Sequence, residues 1–276
     1  MKKHLSTILL ILILLIGLSL LLYPTFSDWW NSFHQSRAIV DYDSALADME
    51  PADYTALFEA AEDYNRRMAE IDFPLMYWEE VEGYEECLNV TGTGIMGYIT
   101  IEKIGVELPI YHGTSDGVLQ VAVGHLEGTS LPVGGESTHC VLSAHRGLPS
   151  ARLFTDLDKM EQGDVFTLSV LDRVLTYQVD QILIVEPDEV DALYVTEGED
   201  YCTLVTCTPY GINSPRMLVR GRRIENIEEA KIVRVTADAI QIEPIIVAPF
   251  LAGPVLLLLI IALIIPKPKK KKRSES

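Results

Sequence analysis

Two residues stand where chemistry is easiest to arrange. Cys207 closes the apolar run Leu204-Val205-Thr206 and is followed at once by Thr208-Pro209-Tyr210-Gly211, so its thiol sits where a strand gives way to a turn. His145 closes Cys140-Val141-Leu142-Ser143-Ala144 in the same way, before Arg146-Gly147-Leu148-Pro149. Strand ends that feed loops commonly carry function. A thiol and an imidazole brought together there would give a thiolate nucleophile with a general acid–base partner. On spacing alone the bland readings stay open, since a Cys in apolar sequence is often inert packing and a His at a strand end often structural. The period of two separates the remaining cysteines from these positions. Cys202 lies five residues before Cys207 and Cys140 five before His145, so each faces the opposite side of its strand. If the two strands run side by side in parallel, Cys140 and Cys202 are neighbours, and their pairing reads as packing. His125, in a Gly-flanked segment, is a rival imidazole.

The elements that must position these groups are mostly strands. After Gly94 the chain is built of short Val, Ile, Leu, Thr and Tyr runs bounded by Gly, Pro and Asp, which predicts strands at 95–104, 106–111, 139–144, 165–170, 174–185, 201–206 and 217–224. Phe166, Leu168 and Val170 alternate with Thr167 and Ser169, so one face is buried and one wet. Short helical pieces are expected at 150–160 and 188–193. Seven or so short strands imply a barrel or sandwich. Ahead of them, Tyr54, Leu57, Phe58, Ala61, Tyr64, Met68 and Ile71 recur at threes and fours, with Pro51 at a first-turn position, which predicts an amphipathic helix over 50–71. Asn89-Val90-Thr91 has the form of a glycosylation sequon and is given no meaning.

The ends of the chain are apolar. Leu5 to Leu22 is nearly all Leu and Ile, behind Lys2 and Lys3 and ahead of Tyr23, Phe26, Trp29 and Trp30. This meets the roughly 20 residues a bilayer requires, with aromatic residues at the interface. No small-residue cleavage pattern follows Leu22, which weighs against a removable leader. A second span is expected at 247–266, running into Lys267, Lys269, Lys270, Lys271, Lys272 and Arg273. Basic residues beyond both spans put both termini in the cytoplasm and the intervening part outside the cell. Setting aside the eight terminal Lys and Arg residues and Glu275, that part has 14 basic against 39 acidic side chains, which argues against a nucleic-acid partner. Four cysteines are too few there for a disulfide scaffold.

The segment Thr203-Leu204-Val205-Thr206-Cys207-Thr208-Pro209-Tyr210-Gly211-Ile212-Asn213 resembles the nucleophile segment of class C sortases, including the Thr-Leu-x-Thr-Cys core common to sortases. Gly124-His125-Leu126-Glu127-Gly128-Thr129-Ser130-Leu131-Pro132-Val133-Gly134-Gly135 and Ser143-Ala144-His145-Arg146-Gly147-Leu148-Pro149-Ser150 are similar to class C segments in the same order, and the resemblance runs from about Asn89 to Arg223. It implies a mainly β fold, an eight-stranded sortase barrel at 94–226. Around it would lie a cytoplasmic start at 1–4, a transmembrane helix at 5–23, an extracellular helical preface at 24–93, a linker at 227–246, a second transmembrane helix at 247–266 and a basic tail at 267–276. It implies that Cys207 attacks the Thr carbonyl of a Leu-Pro-X-Thr-Gly signal to form a thioester, with His145 as acid and base and Arg216 orienting substrate or stabilising the oxyanion. Thr206, Tyr210 and Asn213 would contact substrate, while Arg220, Arg222 and Arg223 match no functional position. A pilin Lys amine would resolve the thioester; no metal or organic cofactor is implied. Alternatives are transfer of surface proteins to a peptidoglycan precursor, or a non-catalytic membrane-tethered binding domain. The family's Asp-Pro-aromatic lid has its nearest counterpart in Asp72-Phe73-Pro74, in altered order, which makes Asp72 and Phe73 the candidate lid residues.

Overall fold

The computed structural model describes residues 2–209 and 215–226, with side chains from residue 9 onward. Eight strands close into one barrel: β1 (Ile95–Ile101), β2 (Val106–His112), β3 (Val123–His125), β4 (Thr138–Ser143), β5 (Val165–Val170), β6 (Arg173–Val185), β7 (Asp200–Cys207) and β8 (Arg216–Ile224). Around the barrel their order is β1-β2-β3-β4-β7-β8-β6-β5. The expected seven strands are all present, and the mainly β class stands. β3 escapes sequence reading because three residues, Val-Gly-His, carry no alternation. The strand expected to run to Ile104 ends at Ile101, where a 3₁₀ turn over Glu102–Ile104 leads into Gly105 in the left-handed conformation. The helix expected over 150–160 is reduced to a 3₁₀ turn at Leu157–Lys159, and that over 188–193 to one at Asp191–Leu193. Leu153 explains the first loss, since its φ of 39° breaks a right-handed run.

Ahead of the barrel, α1 (Lys2–Ala47) is one long helix that tolerates Pro24, and it contains a stretch long and apolar enough to cross a membrane. Met1–Phe26 falls in a separate compact unit from Ser27–Arg234. Within the larger unit the end of α1 docks through Tyr42, fully buried, whose hydroxyl donates to the Met96 carbonyl at 3.0 Å and accepts from the Leu171 amide at 2.9 Å.

α2 (Pro51–Met68) follows, started by Pro51 at its first turn and by the Asp53 carboxylate accepting from the Glu50 amide at 3.1 Å. Its expected stripe is buried at Phe58, Ala61, Tyr64 and Met68. Asn65 locks it to the barrel by a reciprocal amide pair, donating to the Leu131 carbonyl at 3.3 Å and accepting from the Leu131 amide at 2.7 Å.

Two clusters of buried apolar side chains result, divided by strand parity. Inward-facing Cys140, Leu142, Cys202, Leu204 and Val219 belong to the main core, while outward-facing Val141, Val205 and Leu218 form a second cluster on the barrel's outside. The second membrane span expected at 247–266 lies outside the described residues.

Candidate active site

The strand register brings the predicted residues together. β4 and β7 are parallel, with Cys140 paired to Cys202 and Ser143 to Val205. Continuing that register by two residues sets His145 opposite Cys207. β7 and β8 are antiparallel, and their last pair is Cys207 with Arg216. Cys207 and Arg216 thus pair at the ends of β7 and β8, and His145 follows two residues past the end of neighbouring β4, where paired strands lie ~4.8 Å apart. Two hydrogen bonds stitch the ends. The Ala144 amide donates to the Val205 carbonyl at 3.1 Å, and the Thr206 hydroxyl donates to the Ala144 carbonyl at 2.9 Å. Thr206 is therefore buried behind the thiol and supports the site from within. Tyr210 and Asn213 lie outside the described residues.

Accessibility sorts the sulfurs. Cys87, Cys140 and Cys202 are buried free thiols, whereas Cys207 is half-buried, as are His145 and Arg216. Burial pushes the Cys87 and Cys202 thiols up, away from the nucleophilic thiolate. Cys140 and Cys202 are neighbours, as parallel strands require. His125 is fully buried, its Nδ1 2.9 Å from the Tyr84 hydroxyl and its Nε2 2.9 Å from the Ser130 carbonyl, so no substrate reaches it. Arg220 pairs with Asp180 at 2.9 Å and lies over the Tyr201 ring, and Arg222 pairs with Glu199 at 2.8 Å. Arg223 stands 4.0 Å from the Asp200 carboxylate.

From Cys207 an apolar surface runs along the outside of β4, β7 and β8, floored by Val141, Val205 and Leu218. A short segment crosses it. Phe73, with a φ of 56°, turns the chain sharply into α3 (Pro74–Tyr77). Leu75 packs into the outer cluster, while Phe73 is 65% exposed and Met76 73%. The aromatic side chain of the expected lid pair thus faces solvent, and the apolar anchor is two residues on. Asp72 and Phe73 line a cavity of about 520 Å³ together with Gly128, Ser130, Tyr194 and Val195. Gly128 lies directly under the crossing: a Cβ there would stand 2.8 Å from the Leu75 Cα and nearer still to the Pro74 carbonyl oxygen.

Sequence reading missed Leu75, Gly128 and two polar anchors. His139 Nδ1 donates to the Tyr194 carbonyl at 3.0 Å while its Nε2 meets the Thr203 hydroxyl at 2.7 Å, which pins the β6–β7 connection beside the groove. Burial lowers the pKa of His139 and favours its neutral ring. Arg146, next to His145, reaches Asp158 at 2.5 Å and the Thr208 hydroxyl at 3.4 Å. His139 sits mid-strand, where only the parity it shares with Cys207's face marks it out. Arg146 had no signal beyond adjacency.

Residues 99–224 match the family model of the sortase domain. Sortase C1 from Streptococcus agalactiae is 49% identical, with 69% of this chain covering 100% of that one at a TM-score of 0.64. Streptococcus pneumoniae sortase C, whose structure concerns catalysis and pilin substrate specificity, is 46% identical, with 69% of this chain covering 97% of that one at a TM-score of 0.61. Among curated proteins, sortase D of Bacillus subtilis is 30% identical over 131 residues, 46% of this chain. The match spans 63% of that relative's length, a little under two-thirds.

Proposed function

We propose that this chain, which belongs to the sortase family and is similar in fold to its class C members, joins pilin subunits by cleaving a Leu-Pro-X-Thr-Gly signal and passing the acyl group to a lysine amine. Cys207 is the nucleophile. Its thiolate attacks the Thr carbonyl, and His145 protonates the leaving Gly amine, so the C–N bond breaks and a thioester remains. The lysine amine then attacks the thioester, His145 takes its proton, and an isopeptide bond forms as the thiolate is released. Arg216, strand partner of Cys207, supplies a fixed cation for the developing oxyanion.

The observation that carries this reading is the meeting of Cys207, His145 and Arg216 at three adjacent strand ends, with Cys207 the accessible thiol of four. It is further supported by the apolar surface leading away from Cys207, suited to the Leu-Pro portion of an extended signal. The segment from Asp72 to Tyr77 acts as a lid held by Leu75. The apolar stretch of α1 anchors the enzyme in the membrane, a second span follows at 247–266, and the barrel with its helical preface faces the outside.

The test is incubation of the full chain in detergent micelles with a Leu-Pro-X-Thr-Gly peptide, followed by intact mass measurement. An acyl adduct that is absent in Cys207→Ala and does not accumulate in His145→Ala is expected. Absence of any adduct across several sorting peptides would turn the reading toward a degenerate binding domain. Offering a pilin lysine donor against a peptidoglycan-precursor amine then identifies the acceptor, and preference for the precursor would overturn the pilin assignment.

A further inference from the structure

Arg146 directly follows His145, and Thr208 directly follows Cys207. The Arg146 guanidinium joins the two turns, one Nη donating to the Thr208 hydroxyl at 3.4 Å and the other to the Asp158 carboxylate at 2.5 Å. Its side chain is only 9% exposed, whereas that of Asp158 is 46% exposed. Asp158 stands in the 3₁₀ turn Leu157–Lys159, which is pinned to the core by fully buried Leu157. The backbone adds a second constraint on the same side, the Phe154 amide donating to the His145 carbonyl at 3.1 Å.

Burying a guanidinium this far is unfavourable unless geometry and partners compensate for its lost hydration. Here the compensation is incomplete, because the Arg146 Nε is buried with no hydrogen-bond partner among the described residues. A pair serving stability alone would gain by losing that orphan donor. What an arginine offers that an apolar residue does not is a planar fork that fixes two directions at once. The two strand-end hydrogen bonds hold the chain only as far as Thr206 and Ala144; past them, the fork ties the turns themselves.

We propose that Arg146 is a positioning residue for the transpeptidation: anchored on Asp158, it holds the turn after Cys207 against the turn bearing His145, so that thiol and imidazole keep one mutual geometry. This rests on the reading of Cys207 and His145 as the reacting pair. The Arg146 guanidinium meets Thr208 and Asp158, so it acts through the two turns. Misplacement of a reacting group by ~1 Å costs on the order of 100-fold in rate, so the effect belongs in kcat.

The experiment uses the full chain in detergent micelles as wild type, Arg146→Gln, Arg146→Lys and Asp158→Asn. It reads kcat and KM for peptide cleavage, the fraction of folded protein, and the thermal midpoint. Arg146→Gln is expected to lower kcat on the order of 10- to 100-fold with KM held within about twofold. Arg146→Lys, which keeps the charge, should not recover kcat, since an ammonium cannot serve both partners. Asp158→Asn, at a half-exposed position that folding tolerates, should lose kcat in the same direction by a smaller factor. A loss of kcat in Arg146→Gln no greater than its loss of folded protein, or a loss carried by KM instead of kcat, would overturn the inference and leave a structural ion pair. Should the wild type cleave no peptide, the reading of the site fails; wild-type cleavage with kcat per folded protein unchanged in Arg146→Gln overturns the positioning role alone.

Discussion

The two faces of β4 and β7 are built from the same alternation and covered in different ways. On the inner face, Cys140, Leu142, Cys202 and Leu204 are 0–2% exposed, and what covers them is the rest of the closed barrel with α2. On the outer face, Val141 and Val205 are covered with Leu75, Leu126 and Leu193, which come from connections between elements. A barrel wall cannot leave without breaking its strand ladders, whereas a four-residue helix on a loop can. Local opening is cheapest where few contacts hold a segment. One face is therefore permanent core, and the other is an apolar surface whose cover can open; the function proposed above has an extended apolar peptide take its place.

The largest expected effect tests the permanence of the inner face. Leu204→Ala should destabilise the fold by about 2–5 kcal/mol, the usual cost of emptying a packed core site, seen as a lower denaturation midpoint. A loss below ~1 kcal/mol would mean the inner face is no better held than the outer. Next is Gly128→Val. Gly128 has a φ of 82° and lies beneath Pro74 and Leu75, so a branched side chain both strains the turn and displaces the segment proposed as a lid. Alkylation of Cys207 should rise about tenfold, a lid bias of ~1.4 kcal/mol. An unchanged rate would show that the crossing segment does not govern access. Leu75→Ala, by removing the anchor alone, should raise the rate by a smaller factor, and Phe73→Ala by less than Leu75→Ala, because Phe73 faces solvent. The reverse order would restore the aromatic residue as the lid's anchor.

The smallest effect lies on neither face. The Asp164 carboxyl is held below the usual carboxylate range by its hydrogen bond with Lys103, at 2.8 Å across an exposed corner of the barrel. A depressed folded-state pKa contributes stability above the ordinary aspartate value and loses it as pH falls. Asp164→Asn should therefore lower the thermal midpoint slightly at neutral pH, the difference shrinking as pH falls below about 4 and closing only below the depressed folded-state value. A difference that persists in acid would assign the effect to packing instead.

Legibility followed the strength of local signals. The stripe of α2 and the alternation of β5 and β6 were plain because each repeats over many residues, while β3 is too short to show a period. Cys207 and His145 could be named from the turns that follow their strands, and Arg216 only through the family resemblance. Asp72 and Phe73 were chosen by their likeness to a motif, whereas the side chain of that segment that meets the outer cluster is Leu75, because which side of a short helix meets the barrel depends on the docked angle. Arg146 carried no pattern at all, since its partners are 12 and 62 residues away.

By itself the sequence determined what is written in local chemistry. This comprises an apolar N-terminal stretch able to cross a membrane, an amphipathic helix sealed by Asn65's neighbours Tyr64 and Met68, strands whose parity splits Cys202 from Cys207, and a thiol and an imidazole at strand ends. Only the tertiary structure decided that β4 and β7 lie side by side in parallel with Arg216 against Cys207, that Leu75 covers the outer face, and that Arg146 spans the two turns. Periodicity reports which way a side chain points from its own strand, but the neighbour it meets there is set by barrel closure, which sums contacts over residues far apart in the chain.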